Sequence, residues 1–214
     1  MKQMWKKLLL ISVLLITCLS LFAAEKPYFM VSNTAGSIPE KMSETKAVLE
    51  ENGFEIVGEY SPFAGRHVVI FTNENLINDA AKTDFGAYGA ALRVAFTEID
   101  DKIQIAYTNP VYWSNAYRME LETEQLNIQL EKCFGIGEAF GSEDGVKIKK
   151  LRKYHYMMAM PYFDDPYELA EYESYEEGIE IVEAGLEAQK GGVSKVYRID
   201  IPNTKETVFG IALT

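Results

Sequence analysis

The sequence predicts an α+β fold, with mostly antiparallel sheet and helices packed on one face. Two observations carry this. Well-capped amphipathic helix signals are interspersed with β-rich runs, and those runs are paired across tight turns at Asp100-Asp101 and Pro202-Asn203. A third observation is a repeated order of strand, helix, Gly, strand, turn and strand, near residues 28–72 and 154–213. It marks a candidate internal β-α-β-β duplication, although the two copies share few side chains.

Ser37-Ile-Pro-Glu40 is a capping box with Pro in the first turn; Ile38, Met42, Thr45 and Leu49 follow on one face and Gly53 closes the helix. Phe54 to Tyr60 alternates as a half-buried strand, imperfectly at Val57 and Gly58, and His67 to Phe71 reads as a more buried one. Asn73 caps a short helix holding Leu76, Ile77, Ala80 and Ala81, and Gly86 and Gly89 mark a tight loop. Leu92–Ile99 and Ile103–Tyr107 form a hairpin. Asn109-Pro110 starts the next helix, and the pattern continues helically over Leu121–Phe134 through Leu126 and Leu130. Leu151–Met160 is strand-like. Asp165-Pro-Tyr-Glu168 and Ser174-Tyr-Glu-Glu177 read as successive capping boxes, the second starting a helix with Ile179, Val182 and Leu186 on its apolar face and Gly191-Gly192 at its end. Ser194–Ile201 and Val208–Leu213 close the chain as a hairpin.

The N-terminus reads as a targeting segment. Lys2, Lys6 and Lys7 precede an apolar run from Leu8 to Phe22, and Ala23-Ala24 follow. That order is a secretory signal over residues 1–24, placing the protein in the periplasm or outside the cell. Retention as a membrane anchor is the alternative, the run being slightly short of the roughly 20 residues a spanning helix needs. Residues 25–214 are then a single exported α+β domain. Removing the segment removes three lysines and no acids, taking the formal net charge from -11 to -14. So acidic a chain argues against nucleic acid and against anionic membrane surfaces as partners, since both are held by basic patches. Of the two cysteines, Cys18 lies in the segment, so Cys133 remains without an internal disulfide partner. Next to Phe134-Gly135-Ile136 it reads as a structural thiol.

From Met42 to Pro110 the chain resembles the domain-of-unknown-function 302 family. The matching features are the helix ending at Gly53-Phe54, the strand Glu55-Ile-Val-Gly-Glu-Tyr60, and Thr72-Asn73-Glu-Asn-Leu76 at the next helix start. The hairpin Leu92-Arg-Val-Ala-Phe…Ile103-Gln-Ile-Ala-Tyr and its closing Pro110 complete the match. The family shows Cys-Asn-Pro where this chain has Thr72-Asn73-Glu74. The resemblance covers residues 42–110, about a third of the chain. It implies a compact α+β fold and carries no site, because the family has no established activity.

Tyr107 to Arg118 holds the densest group of candidate ligand-binding residues. With Asn109 as cap and Pro110 first in the helix, Trp113 and Tyr117 are neighbours four apart, as are Ser114 and Arg118, while Asn115 and Arg118 are three apart. One face is aromatic and the next carries amide, hydroxyl and guanidinium, suited to an anionic or carbonyl-bearing ligand. The candidate binding residues are Arg93, Asn109, Tyr112, Trp113, Asn115 and Arg118. The competing reading makes the aromatics core and satisfies the polar groups with backbone carbonyls.

No cofactor or metal is called for, and no nucleophile signature such as Gly-x-Ser-x-Gly is present. His67 and His155 are the only histidines. His155 with its neighbouring methionines has copper(I)-binding chemistry, but strand alternation would split the ligands over two faces. The functional expectation is a non-catalytic protein binding a small molecule or a protein. The alternatives are an enzyme acting on a small anionic substrate, clamped by Arg93 and Arg118, and an interaction module using the tyrosine-rich acidic segment 162–177.

Overall fold

The computed structural model describes residues 24–121, 123–155, 157–163 and 165–213. The targeting segment read at residues 1–24 lies outside them except for Ala24. The elements run β1 (Ala24–Glu25), β2 (Tyr28–Ala35), α1 (Ile38–Glu51), β3 (Glu55–Tyr60), β4 (Arg66–Thr72), α2 (Glu74–Ala80), β5 (Leu92–Ile99), β6 (Lys102–Thr108) and α3 (Pro110–Ala116). They continue as α4 (Thr123–Phe134), β7 (Glu138–Phe140), β8 (Val146–Lys147), α5 (Ile148–Leu151), α6 (Tyr175–Glu187), β9 (Val193–Asp200) and β10 (Thr207–Leu213). The fold is α+β, and every strand pairing is antiparallel.

The central sheet has six strands in the order β3-β4-β5-β6-β2-β7; β9 and β10 form a separate two-stranded ribbon, and β1 pairs with β8. The N-terminal helix signals act as their chemistry demands. The Ser37 hydroxyl accepts from the Glu40 amide, and Asn73 Oδ1 accepts from the Leu76 amide at 2.8 Å. Asp100 and Asp101 both take left-handed backbone angles, which fits the two-residue turn joining β5 to β6. The uneven alternation at Val57-Gly58 is a register shift in β3 between Ile56 and Gly58, so a bulge bends the strand there.

The core lies between one face of the six-stranded sheet and helices α1, α2 and α4. Phe71 and Phe96 from the sheet are fully buried, as are Leu49 from α1, Leu76 from α2 and Leu130 from α4. Phe54 meets Phe71 edge-on at 5.3 Å, and Tyr107 stacks on Phe134 at 4.8 Å.

Three expectations are corrected. The helix begun at Asn109-Pro110 does not continue into α4. It stops in a C-terminal turn in which Arg118 takes the left-handed conformation (φ 54°), Met119 N–H donates to Ser114 C=O at 2.8 Å and Arg118 N–H to Asn115 C=O at 3.2 Å. Leu151–Met160 is not a strand among its described residues. Leu151 ends the short α5 with its side chain buried, and Met157, Met158 and Met160 are exposed, so no apolar face is available for a sheet to cover. Asp165-Pro-Tyr-Glu168 starts no helix, because the Asp165 carboxylate turns back to accept from the Tyr162 amide at 2.7 Å instead of capping forward. Without a strand among the described residues of 154–160, the second half of the candidate duplication lacks its opening element there, and its hairpin forms its own ribbon rather than joining the central sheet.

Candidate functional site

A cleft lies on the face of the central sheet turned away from the helices. Alternation along β5 sends Leu92, Val94 and Phe96 into the core and Arg93, Ala95 and Thr97 to the other side; β6 does the same with Ile103, Ile105 and Tyr107 against Gln104, Ala106 and Thr108. The β9–β10 ribbon covers this second face only in part. Between them is a cleft of about 440 Å³, within the size range of small-molecule sites.

The floor is low because its centre is made of alanines. Ala95 and Ala106 are cross-strand partners, flanked by Thr97 opposite Gln104 and by Val68 opposite Ala95. Large side chains rise at the rim: Tyr28 and Phe140, whose rings lie 5.7 Å apart, Tyr60 at the end of β3, and Tyr197 on the ribbon.

Two glycines set the ribbon's position. A Cβ on Gly58 in β3 would lie 2.3 Å from the carbonyl oxygen of Val196, so this residue allows the β9 backbone to pass close over the sheet. A Cβ on Gly210 would lie 1.9 Å from Tyr197 Cε1. Gly210 and Tyr197 are cross-strand partners, and the bare glycine lets the tyrosine ring lie across β10. Tyr197 and Arg93 line the same cleft. Burial pushes the phenol above its ordinary pKa, and the nearby Arg93 guanidinium opposes that.

Arg93 is half-buried at one end of the cleft, and its guanidinium lies 4.9 Å from the centroid of the Trp113 ring. Trp113 in turn meets Tyr117 edge-on at 5.0 Å, and Tyr117 stacks on Tyr88 at 5.7 Å. The Trp113 indole N–H is buried and has no acceptor among the described residues. Burial also raises the Tyr117 pKa, with Arg93 acting in the opposite direction.

No family model matches this chain, and no curated protein matches it.

Of the six residues read as ligand-binding, Arg93 alone lines the cleft. Asn109 is 1% exposed and its amide is fully engaged: Oδ1 accepts from the Val111 and Tyr112 amides, and Nδ2 donates to Lys26 C=O at 2.8 Å and to Glu25 Oε2 at 3.1 Å. Tyr112 is half-buried beside it, with burial raising its pKa. Asn115 and Arg118 belong to a knot around Arg152. Arg118 Nε donates to Arg152 C=O at 3.0 Å, and Arg152 donates to Asn115 Oδ1 at 3.2 Å, Met119 C=O at 3.3 Å and Arg118 C=O at 2.9 Å. Arg118 also lies 5.0 Å from the Tyr162 ring centroid. The two arginines read as a joint clamp therefore face different partners, Arg93 the cleft and Arg118 the knot.

Sequence reasoning passed over Tyr28, Tyr60, Phe140, Tyr197 and Gly210. The floor was readable from the outward set Arg93, Ala95, Thr97 and Gln104, Ala106, Thr108. The ribbon over it is set by Gly58 and Gly210, and no local pattern encodes that approach.

The remaining candidate chemistry is dispersed. Among the described residues no three His, Cys, Asp or Glu side chains come together as a metal site, and no helix is long and apolar enough to cross a membrane. His155 Nδ1 lies 2.6 Å from the Met157 carbonyl oxygen. The Cys133 thiol is half-buried, and burial pushes its pKa up, away from the reactive thiolate.

Proposed function

We propose that this is an exported, non-catalytic binding protein that takes a small, largely apolar ligand in the cleft between the central sheet and the β9–β10 ribbon. The carrying observation is the alanine-floored cleft of about 440 Å³ ringed by Tyr28, Tyr60, Phe140 and Tyr197. Apolar walls with a few fixed polar groups are the ordinary composition of a ligand site. Export rests on the order of basic, apolar and small residues over 1–24. The likeness of residues 42–110 to the domain-of-unknown-function 302 family enters this proposal for the fold alone.

Binding is favoured over turnover by the groups that face the cleft. They are one guanidinium, one carboxamide, threonine hydroxyls and phenols, with no carboxylate, imidazole or thiol among the lining side chains. General acid–base catalysis near neutral pH calls on groups of that missing kind.

A thermal-shift screen of small aromatic and aliphatic compounds, run on wild type and Ala106→Leu, tests the reading. The leucine fills the centre of the floor. Compounds that raise the wild-type melting temperature by several degrees should lose that effect in the variant. A shift that survives Ala106→Leu would place binding elsewhere and overturn the proposal.

A second reading has its own observation. In the irregular stretch before α6, Met158, Tyr167 and Leu169 are 92%, 76% and 94% exposed beside Asp165, Glu168 and Glu171. Such a surface fits an interaction module. Loss of a co-purifying partner on replacing Tyr167 and Leu169 with Ser would support it, and retention would remove it.

A further inference from the structure

We infer that the cleft selects a ligand bearing a single carboxylate on an uncharged apolar body, with the carboxylate received edge-on by Arg93. This rests on the cleft being a ligand site and goes on to name the class of ligand.

Arg93 differs from the other described arginines in what it touches. Arg66 donates to the carbonyls of Gly65 and Glu98, Arg152 to two carbonyls and an amide oxygen, and Arg198 to the carboxylates of Glu183 and Asp200. Arg118 donates to the Arg152 carbonyl. Arg93, among the described residues, has no carboxylate within ion-pairing distance and no carbonyl acceptor for its guanidinium. The Trp113 ring lies beside its guanidinium, and its charge acts on the Tyr117 and Tyr197 phenols.

The guanidinium lies over the Trp113 ring. It presents five N–H donors in its plane, and donors remain for an acceptor entering from the cleft that Arg93 lines. A carboxylate matches two parallel N–H groups, and the pair is stronger in a half-buried setting than in water. Ile70 and Thr108 flank Arg93 across the sheet, so one neighbour is apolar and the other carries a single hydroxyl.

The rest of the ligand is constrained by what is missing. No second cation lines the cleft to hold a second anionic group, and no acidic side chain lines it to hold an ammonium. Beyond Arg93 the lining includes Ala95, Ala106, Val68, Tyr60 and Phe140, whose apolar area favours an apolar body. An amino acid or a dicarboxylate would leave one charge desolvated without a partner. An aromatic or medium-chain aliphatic monocarboxylate would not.

Matched acid and amide pairs on phenylpropyl, indolyl and octyl bodies test this with the whole exported chain. Affinity is read by calorimetry and by emission of Trp113, the only tryptophan after residue 24. Wild type should bind at least one acid about tenfold or more tightly than its amide, consistent with a charge-assisted pair. Trp113 emission should change with the acid, because the cation over its ring gains a counter-ion. Arg93→Gln should bring acid and amide to equal affinity, and Arg93→Lys should keep part of the preference. Equal binding of acid and amide by wild type would overturn the carboxylate inference while leaving the cleft as a site. Binding of neither member of any pair would remove both readings. The comparison of ligands needs only wild-type protein, so a variant that failed to fold would not shield the inference.

Discussion

Toward the helices β5 presents Leu92, Val94 and Phe96, all buried; toward the ribbon the same strand presents Arg93, Ala95 and Thr97, all partly accessible. β6 repeats the contrast, with buried Ile103, Ile105 and Tyr107 on one side and partly accessible Gln104 and Ala106 on the other, where Thr108 is buried. On the helix side Leu49, Leu76 and Leu130 from α1, α2 and α4 are fully buried against the sheet. On the ribbon side the centre is alanine and the bulk stands at the rim. One sheet thus carries a stabilising face and a receiving face, and the period-two geometry of the strand separates them without a separate domain.

The comparison is sharpened most by truncating equivalent positions on the two faces. Phe71 in β4 is fully buried against Phe54, and Phe71→Ala should cost about 3–5 kcal/mol in urea-unfolding free energy. Val68, on the same strand and facing the cleft, is only partly buried, so Val68→Ala should cost nearer 1 kcal/mol while changing the affinity of whatever the cleft binds. Equal losses from the two substitutions would mean that the receiving face is as tightly packed as the core.

The glycines test whether the ribbon is fixed or pliant. Gly58→Ala drives a methyl against the Val196 backbone carbonyl, which has no rotamer to escape into, and should cost toward the upper end of the roughly 1–3 kcal/mol of overpacking. Gly210→Ala meets the Tyr197 ring instead, which can tilt, so its stability cost should be smaller. The tilt would move the phenol relative to Arg93 and show as a changed acid-over-amide preference. Hydrogen exchange across β9 and β10 would separate a displaced ribbon from a tilted ring.

These positions also show what was legible in the chain. Side-chain chemistry that acts within four residues was readable: the Ser37, Asn73, Asn109 and Ser174 caps all form, and the irregular alternation at Val57-Gly58 is the bulge in β3. Signals whose meaning depends on distant partners were not. Asp165 carries the residue type of a cap but bonds backward to Tyr162, and Leu151–Met160 has strand-like composition but forms no strand among its described residues. The candidate site divides in the same way. Arg93 was named, but as a clamp partner of Arg118; it lines the cleft because the alternation of β5 turns it outward. Tyr197 was not, because its place above Arg93 depends on a ribbon more than a hundred residues further along the chain. Asn115 and Arg118 looked available only because Arg152, their partner, lies in a segment whose fold the local pattern misstated.

The smallest expected effect on ligand preference separates the structural joint from the site beside it. Asn109 caps α3 through Val111 and Tyr112 and ties that helix to the strand-leading residues Glu25 and Lys26, without lining the cleft. Asn109→Ala removes the cap and both donated bonds and should cost about 1–2 kcal/mol. Asn109→Asp keeps the capping oxygens and loses the donors, while setting a carboxylate 3.1 Å from the Glu25 position, so it should recover little of that loss near neutral pH. Neither substitution touches Arg93, so the acid-over-amide preference should persist in both once unfolding is corrected for. If Asn109→Ala abolished that preference in a folded protein, the joint rather than the cleft would be the site, and the division between the two faces of the sheet would have to be redrawn around α3.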